Sequence, residues 1–167
     1  LSNNHRPRYY DMPCFGSKFV KNPVDVNALL VTDKKKAYNK ILNPLDVLHI
    51  TLFDTWVEND DRKPTNYNLI LEPNVNKFRV LPIDNAFIFS TMSYQDLNPD
   101  YGASVSVNDH LLVSELGHLI KKNTTIDDNF INNEREYFYL CLERSEQGFD
   151  AFMNQVAGFY TIDPDSI

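Results

Sequence analysis

Glu58-Asn59-Asp60-Asp61-Arg62-Lys63-Pro64-Thr65-Asn66 is a polar stretch between two apolar ones, and its place decides how the chain is read. Ahead of it, Asn43-Pro44 offers an N-cap and a proline at a first helical position. Leu45, Leu48, Leu52, Phe53, Trp56 and Val57 then recur at spacings of three and four, which predicts a helix over 44–58 with one broad buried face. Pro64 cannot continue that helix, so the polar stretch is a loop. Beyond it, Asn68-Leu69-Ile70-Leu71-Glu72 predicts a short strand and Pro73-Asn74-Val75-Asn76 a turn. Lys77-Phe78-Arg79-Val80-Leu81-Pro82-Ile83 predicts a second, alternating strand that ends at Asp84.

The hairpin brings the residue entering its first strand and the residue leaving its second to the same end. Asn66 and Asp84 are so placed, and Asp61 lies one tight loop away. A carboxylate and a side-chain amide oxygen are the hard ligands that Mg²⁺ takes, and a further carboxylate can orient or deprotonate an attacking hydroxyl. That combination suits phosphoryl transfer, where catalysis is mostly positioning and charge neutralisation.

Asp61-Arg62-Lys63-Pro64-Thr65-Asn66 matches the D-x-K-P-x-N spacing of the protein-kinase catalytic loop, and Asp84-Asn85-Ala86 stands where those enzymes carry DFG. The longer run from Phe53 through Asn66, Leu69-Ile70-Leu71 and Pro82-Ile83-Asp84 resembles the HipA-like kinases. They share with phosphoinositide kinases the pattern N-x-D-R-H-x-x-N, a hairpin, then I-D. The resemblance covers about residues 43–90. It implies an α+β, mostly α-helical fold, the C-terminal lobe of a protein-kinase-like fold with a small catalytic β-hairpin. It also implies Mg²⁺ and ATP as cofactors, with Asp61 the catalytic base and Asn66 and Asp84 the metal ligands. Lys63 takes the place of the family histidine and is expected to contact the γ-phosphate. Arg62 is expected to pair with Asp61 or Asp60 and hold the loop in shape.

The expected function is phosphorylation of a hydroxyl, on Ser or Thr of a protein substrate. Some members of the family are toxins that phosphorylate an aminoacyl-tRNA synthetase, a target that these motifs do not specify. Two alternatives stand beside it: a pseudokinase or interaction module without turnover, and a lipid or small-molecule phosphotransferase. Asn85-Ala86 lacks the glycine of DFG, which favours the first alternative.

Around this centre the chain expects an irregular inter-lobe entry segment over 1–24 and a helical kinase-like lobe over 25–167, with a catalytic loop at 58–68 and a metal-binding turn at 82–87. Val26, Leu29, Leu30, Ala37 and Ile41 read as a loose helix broken near Thr32 and Asp33. Asn98 to Gly102 reads as a turn, and Asp109 as the cap of a helix carrying Leu111, Leu112, Leu116, Leu119 and Ile120. Two further helices are expected, over 127–144, burying Phe130, Tyr137, Phe138, Leu140 and Cys141, and over 149–159. Nothing reads as the β-rich nucleotide lobe with its Gly-rich cover and lysine. That lobe is expected from outside this chain or from a partner, and these 167 residues alone are expected to be weak or inactive.

Composition narrows the alternatives. At about 150 residues per domain, 167 residues make one compact unit, and 43% hydrophobic with 23% charged residues is ordinary globular usage. A net charge of -7, with signs interspersed, argues against a nucleic-acid partner. No apolar run approaches the ~18–20 residues of a membrane span, and the polar start LSNNHRPRYY has no signal-peptide core, so a cytoplasmic protein without membrane contact is expected. Cys14 and Cys141 are far apart with no CxxC, and His110 and His118 have no HExxH setting, so no zinc site is expected. The five glycines at 16, 102, 117, 148 and 158 form neither GxGxxG nor a Walker loop.

Overall fold

The computed structural model describes residues 19–85 and 110–160 of the chain. Along them run strand β1 (Val24–Asp25), helices α1 (Val26–Lys40) and α2 (Asp46–Trp56), strands β2 (Leu69–Asn74) and β3 (Lys77–Pro82), a 3₁₀ turn at Leu111–Val113, and helices α3 (Glu115–Asn123) and α4 (Asp128–Tyr160). The fold is α+β, with one antiparallel three-stranded sheet in the order β1-β2-β3. Residues 1–18 of the entry segment expected over 1–24, the turn at 98–102 and Asp109 lie outside the described residues.

α1 starts because Asp25 accepts the amides of Asn27 and Ala28, at 2.7 and 3.4 Å, satisfying donors that the first turn leaves open. The expected break at Thr32 does not form. The Thr32 hydroxyl bonds back to the Ala28 carbonyl, and Leu29, Leu30 and Ala37 are buried on either side of it, so the helix is anchored across the weak stretch. β1 joins Val24, the last residue of the segment expected to be irregular, to Asp25, the first of the stretch expected to be helical, and pairs Val24 with Leu71 and Asp25 with Ile70.

The hairpin forms with Leu71 opposite Val80 and Leu69 opposite Pro82. Its turn is only Val75-Asn76, since Pro73 and Asn74 pair with Phe78 and Lys77. Leu69, Leu71 and Val80 face the core, as period-two alternation requires. The outer side of β3 is met by the end of α1: Ile41 forms a parallel bridge with Phe78, and the Leu42 amide donates to the Phe78 carbonyl at 2.7 Å.

α2 begins two residues after Pro44, behind a turn in which Asn43 donates its side-chain amide to Asp46 at 2.6 Å. Its buried face is not the aromatic one. Val47, Ile50, Thr51 and Asp54 are buried, whereas Phe53 and Trp56 are exposed and meet edge to face at 6.2 Å. The single helix expected after Asp109 is two pieces, the 3₁₀ turn and α3, because Ser114 ends one and caps the other by accepting the Gly117 amide at 3.1 Å. Leu111, Leu116 and Ile120 join Val26, Leu30, Val47 and Leu71 in one core cluster.

The chain divides into two compact units, one spanning Val20–Thr125 and the other containing α4. α4 is continuous where two helices were expected. Gly148 costs a helix only about 1 kcal/mol, less than a break would. Nor does α4 bury the residues assigned to its core: Tyr137 and Leu140 are exposed, and Phe130, Phe138 and Cys141 are half-buried. Among the described residues no helix is long and apolar enough to cross a membrane.

Candidate functional site

The site is built at the C-terminal end of α2. Glu58 takes a left-handed φ of 52°, which lets the Asn59 amide return to the Asp54 carbonyl at 2.8 Å and seals the helix end. The same reversal carries the Asn59 side chain to Asp54, whose Oδ1 accepts its amide at 3.0 Å. The Asn59 side-chain oxygen in turn accepts the Asp61 amide at 3.3 Å.

Asp61 is half-buried, and both of its carboxylate oxygens are held. Asn66 donates its side-chain amide to Oδ1 at 3.1 Å and Asn68 donates to Oδ2 at 2.7 Å. The short turn Lys63-Pro64-Thr65-Asn66 makes this possible: Lys63 and Asn66 exchange backbone hydrogen bonds of 3.0 and 2.9 Å, which folds Asn66 back toward Asp61. The turn thereby brings the Asn66 side chain onto Asp61. Lys63 is half-buried, and among the described residues its ammonium makes no hydrogen bond or ion pair.

Arg62 turns the other way and is fully buried. The expected partners Asp60 and Asp61 are not the ones it takes. One arm of its guanidinium pairs with Asp54 of α2, and the other donates to the Ile83 carbonyl at 2.9 Å and to the Asn85 side-chain oxygen at 2.7 Å. Its Nε reaches the Asn68 carbonyl at 3.4 Å. Arg is the residue for this task because its planar fork can satisfy several acceptors at fixed angles. One side chain thus ties together the helix, the loop and the hairpin's exit. Asp54 remains costly to bury. Its Oδ2 has no hydrogen-bond partner, and desolvation pushes its carboxyl above the ordinary value despite the opposing pull of Arg62 and Asn59.

Asp84 leaves β3 at the Asn66 end of the hairpin, where the Ile83 amide donates to the Asn68 carbonyl at 2.9 Å and extends the ladder by one pair. Asp84 sits at φ 54°, a conformation Asp tolerates better than most residues, and it is exposed. Among the described residues neither the Asp84 carboxylate nor Asn66 Oδ1 accepts a hydrogen bond, and Asp84 has no ion pair. A carboxylate oxygen and an amide oxygen, each without a protein donor, are ligand types that Mg²⁺ takes. No group of three or more His, Cys, Asp and Glu side chains that could hold a metal occurs among the described residues, so any such site would draw on the amide as well. Of the turn expected at 82–87, residues 86–87 lie outside the described residues.

Two contributors escaped the sequence reading, Asp54 and Asn68, as did the hydrogen bond from Arg62 to Asn85. Asn68 could have been noticed as a second amide two residues after Asn66; Asp54 was hidden by the aromatics around it, which set the apolar face on the wrong side of α2. In comparisons with known proteins, no family model, no curated protein and no solved structure matches the chain.

Proposed function

We propose that this chain is the C-terminal lobe of a HipA-like kinase that uses Mg²⁺ and ATP to phosphorylate a hydroxyl of a protein substrate. The observation that carries this reading is the hold on Asp61, a half-buried carboxylate gripped on both oxygens at the end of the hairpin from which Asp84 emerges. Each oxygen keeps a lone pair beyond the one its amide uses, so Asp61 can still accept a proton from a substrate hydroxyl in a fixed direction. In the transfer, the hydroxyl oxygen bonds to the γ-phosphorus as the bond to the bridging oxygen breaks, ADP leaves and the proton passes to Asp61. Asn66 Oδ1 and the Asp84 carboxylate would hold Mg²⁺, which when bound neutralises phosphate charge. Lys63 would contact the γ-phosphate, a role compatible with an ammonium that no described group engages.

A second reading, a non-catalytic platform, has one observation in its favour. Asn85 is pinned by Arg62 where kinases carry a residue free to move ahead of the DFG glycine.

The test compares Asp61→Ala and Asp84→Ala in the full-length protein. Asp61→Ala is expected to lower phosphate transfer by about a hundredfold or more while leaving Mg²⁺-ATP binding largely intact. Asp84→Ala, like removal of the metal with EDTA, is expected to weaken ATP binding itself. Equal, mild effects of the two substitutions contradict the assigned roles, and Mg²⁺-dependent ATP binding without transfer selects the platform.

A further inference from the structure

We infer that Asn68 is the positioning residue for Asp61, fixing the direction of the carboxylate that receives the hydroxyl proton; this rests on the reading of Asp61 as the base. Asn68 holds the tighter of the two amide contacts, 2.7 Å to Oδ2 against 3.1 Å from Asn66 to Oδ1. Its own backbone is anchored twice, because its carbonyl accepts the Ile83 amide at 2.9 Å and Arg62 Nε at 3.4 Å. It adopts φ 44°, a left-handed conformation that asparagine enters more readily than most side chains, and this turns the chain from the loop into β2.

These features divide the work between the two amides. Asn66 is called upon twice in the proposed site, once by Asp61 through its N–H and once by the metal through its oxygen, and its grip on Asp61 must tolerate that second demand. Asn68 has only the first task. It is fastened to the rigid hairpin, so it transmits the position of the sheet directly to the reacting carboxylate. A carboxylate with one oxygen released can rotate about its Cβ–Cγ bond, and orientation of the acceptor is what general-base catalysis depends on.

The conformation supplies a clean test. Asn68→Gly suits the positive φ and preserves both carbonyl contacts, so it removes the side-chain grip alone. Asn68→Asp keeps shape and turn preference but replaces the donor with a like charge. In the full-length protein with Mg²⁺-ATP as the probe, Asn68→Gly is expected to lower the kcat of ATP turnover about ten- to a hundredfold with KM for ATP unchanged, and Asn68→Asp to lower it further. A separate readout needs no turnover: the Asn68 side-chain amide resonance is expected to move in Asp61→Ala. A wild-type kcat in Asn68→Gly, or an Asn68 amide indifferent to Asp61→Ala, overturns the inference. A loss confined to melting temperature, with kcat intact, also overturns it by reducing Asn68 to a structural role. Failure of the parent reading looks different, because the wild-type protein would then not turn over Mg²⁺-ATP, whether or not it bound it.

Discussion

Asp54 and Arg62 are both buried, and neither charge has bulk water to fall back on. The carboxyl is pushed up by desolvation, with the hydrogen bond and charge of Arg62 and the Asn59 amide opposing. Its folded pKa therefore lies above its unfolded one, and the folded chain keeps this proton to higher pH than the unfolded chain does. The Asp54 contribution to stability is then greatest below the unfolded value of about 3.9, declines as pH rises, and levels off above the folded value. Urea midpoints of the wild-type chain between about pH 3.5 and 7, referenced to Asp54→Asn, which cannot titrate, are expected to give a stability difference that falls with rising pH. A difference that climbs instead would mean that pairing with Arg62 outweighs burial. The residues legible in the sequence were those whose partners are close by, Asp61 and Asn66, because a five-residue spacing closed by Lys63-Pro64-Thr65 leaves little freedom. Asp54 was not legible, since its role depends on a guanidinium eight residues on that could equally have turned outward to Asp60.

Elements fared according to how much of their shape is local. The hairpin follows from alternation at Leu69, Leu71 and Val80 and was readable to within two residues. α2 was placed, but its orientation was not, since Phe53 and Trp56 lie outside while Thr51 and Asp54 lie inside with partners of their own. The break between the 3₁₀ turn and α3 depends on a contact that sequence does not announce. A Cβ at Gly117 would lie 2.4 Å from the Leu112 Cα, so only glycine lets α3 fold back this closely. Gly117→Ala is expected to destabilise the fold by about 2–4 kcal/mol, because the clash is with backbone and neither side can yield cheaply. Guanidinium denaturation checks this, with Gly148→Ala as the control. That glycine has open space around its missing Cβ, and the same change there should be neutral or slightly stabilising.

At the scale of the molecule, the core cluster among the described residues is made of residues from Val26 to Ile120, all within the unit Val20–Thr125. A chain ending at Thr125 is therefore expected to retain a cooperative transition with a melting temperature within about 3 °C of the full chain, measured by circular dichroism at 222 nm. A broad, non-cooperative transition would show that α4 contributes more than its exposure suggests. The sequence reading treats 25–167 as one helical lobe because periodicity reports that a helix has an apolar side without reporting what covers it; Tyr137, Leu140 and Phe152 lie on that side of α4 and are exposed.

The contact of Ile41 and Leu42 with β3 bears on how these molecules behave toward one another when crowded. An open strand margin invites a neighbouring chain to add itself, the first step toward fibrils. Here the chain's own return from α1 occupies the carbonyl of Phe78, the exposed Lys77 brings a like charge to any identical strand approaching from outside, and Pro82 closes the row. The β3 margin of the small sheet, from which Asp84 emerges, is thereby guarded against self-templating.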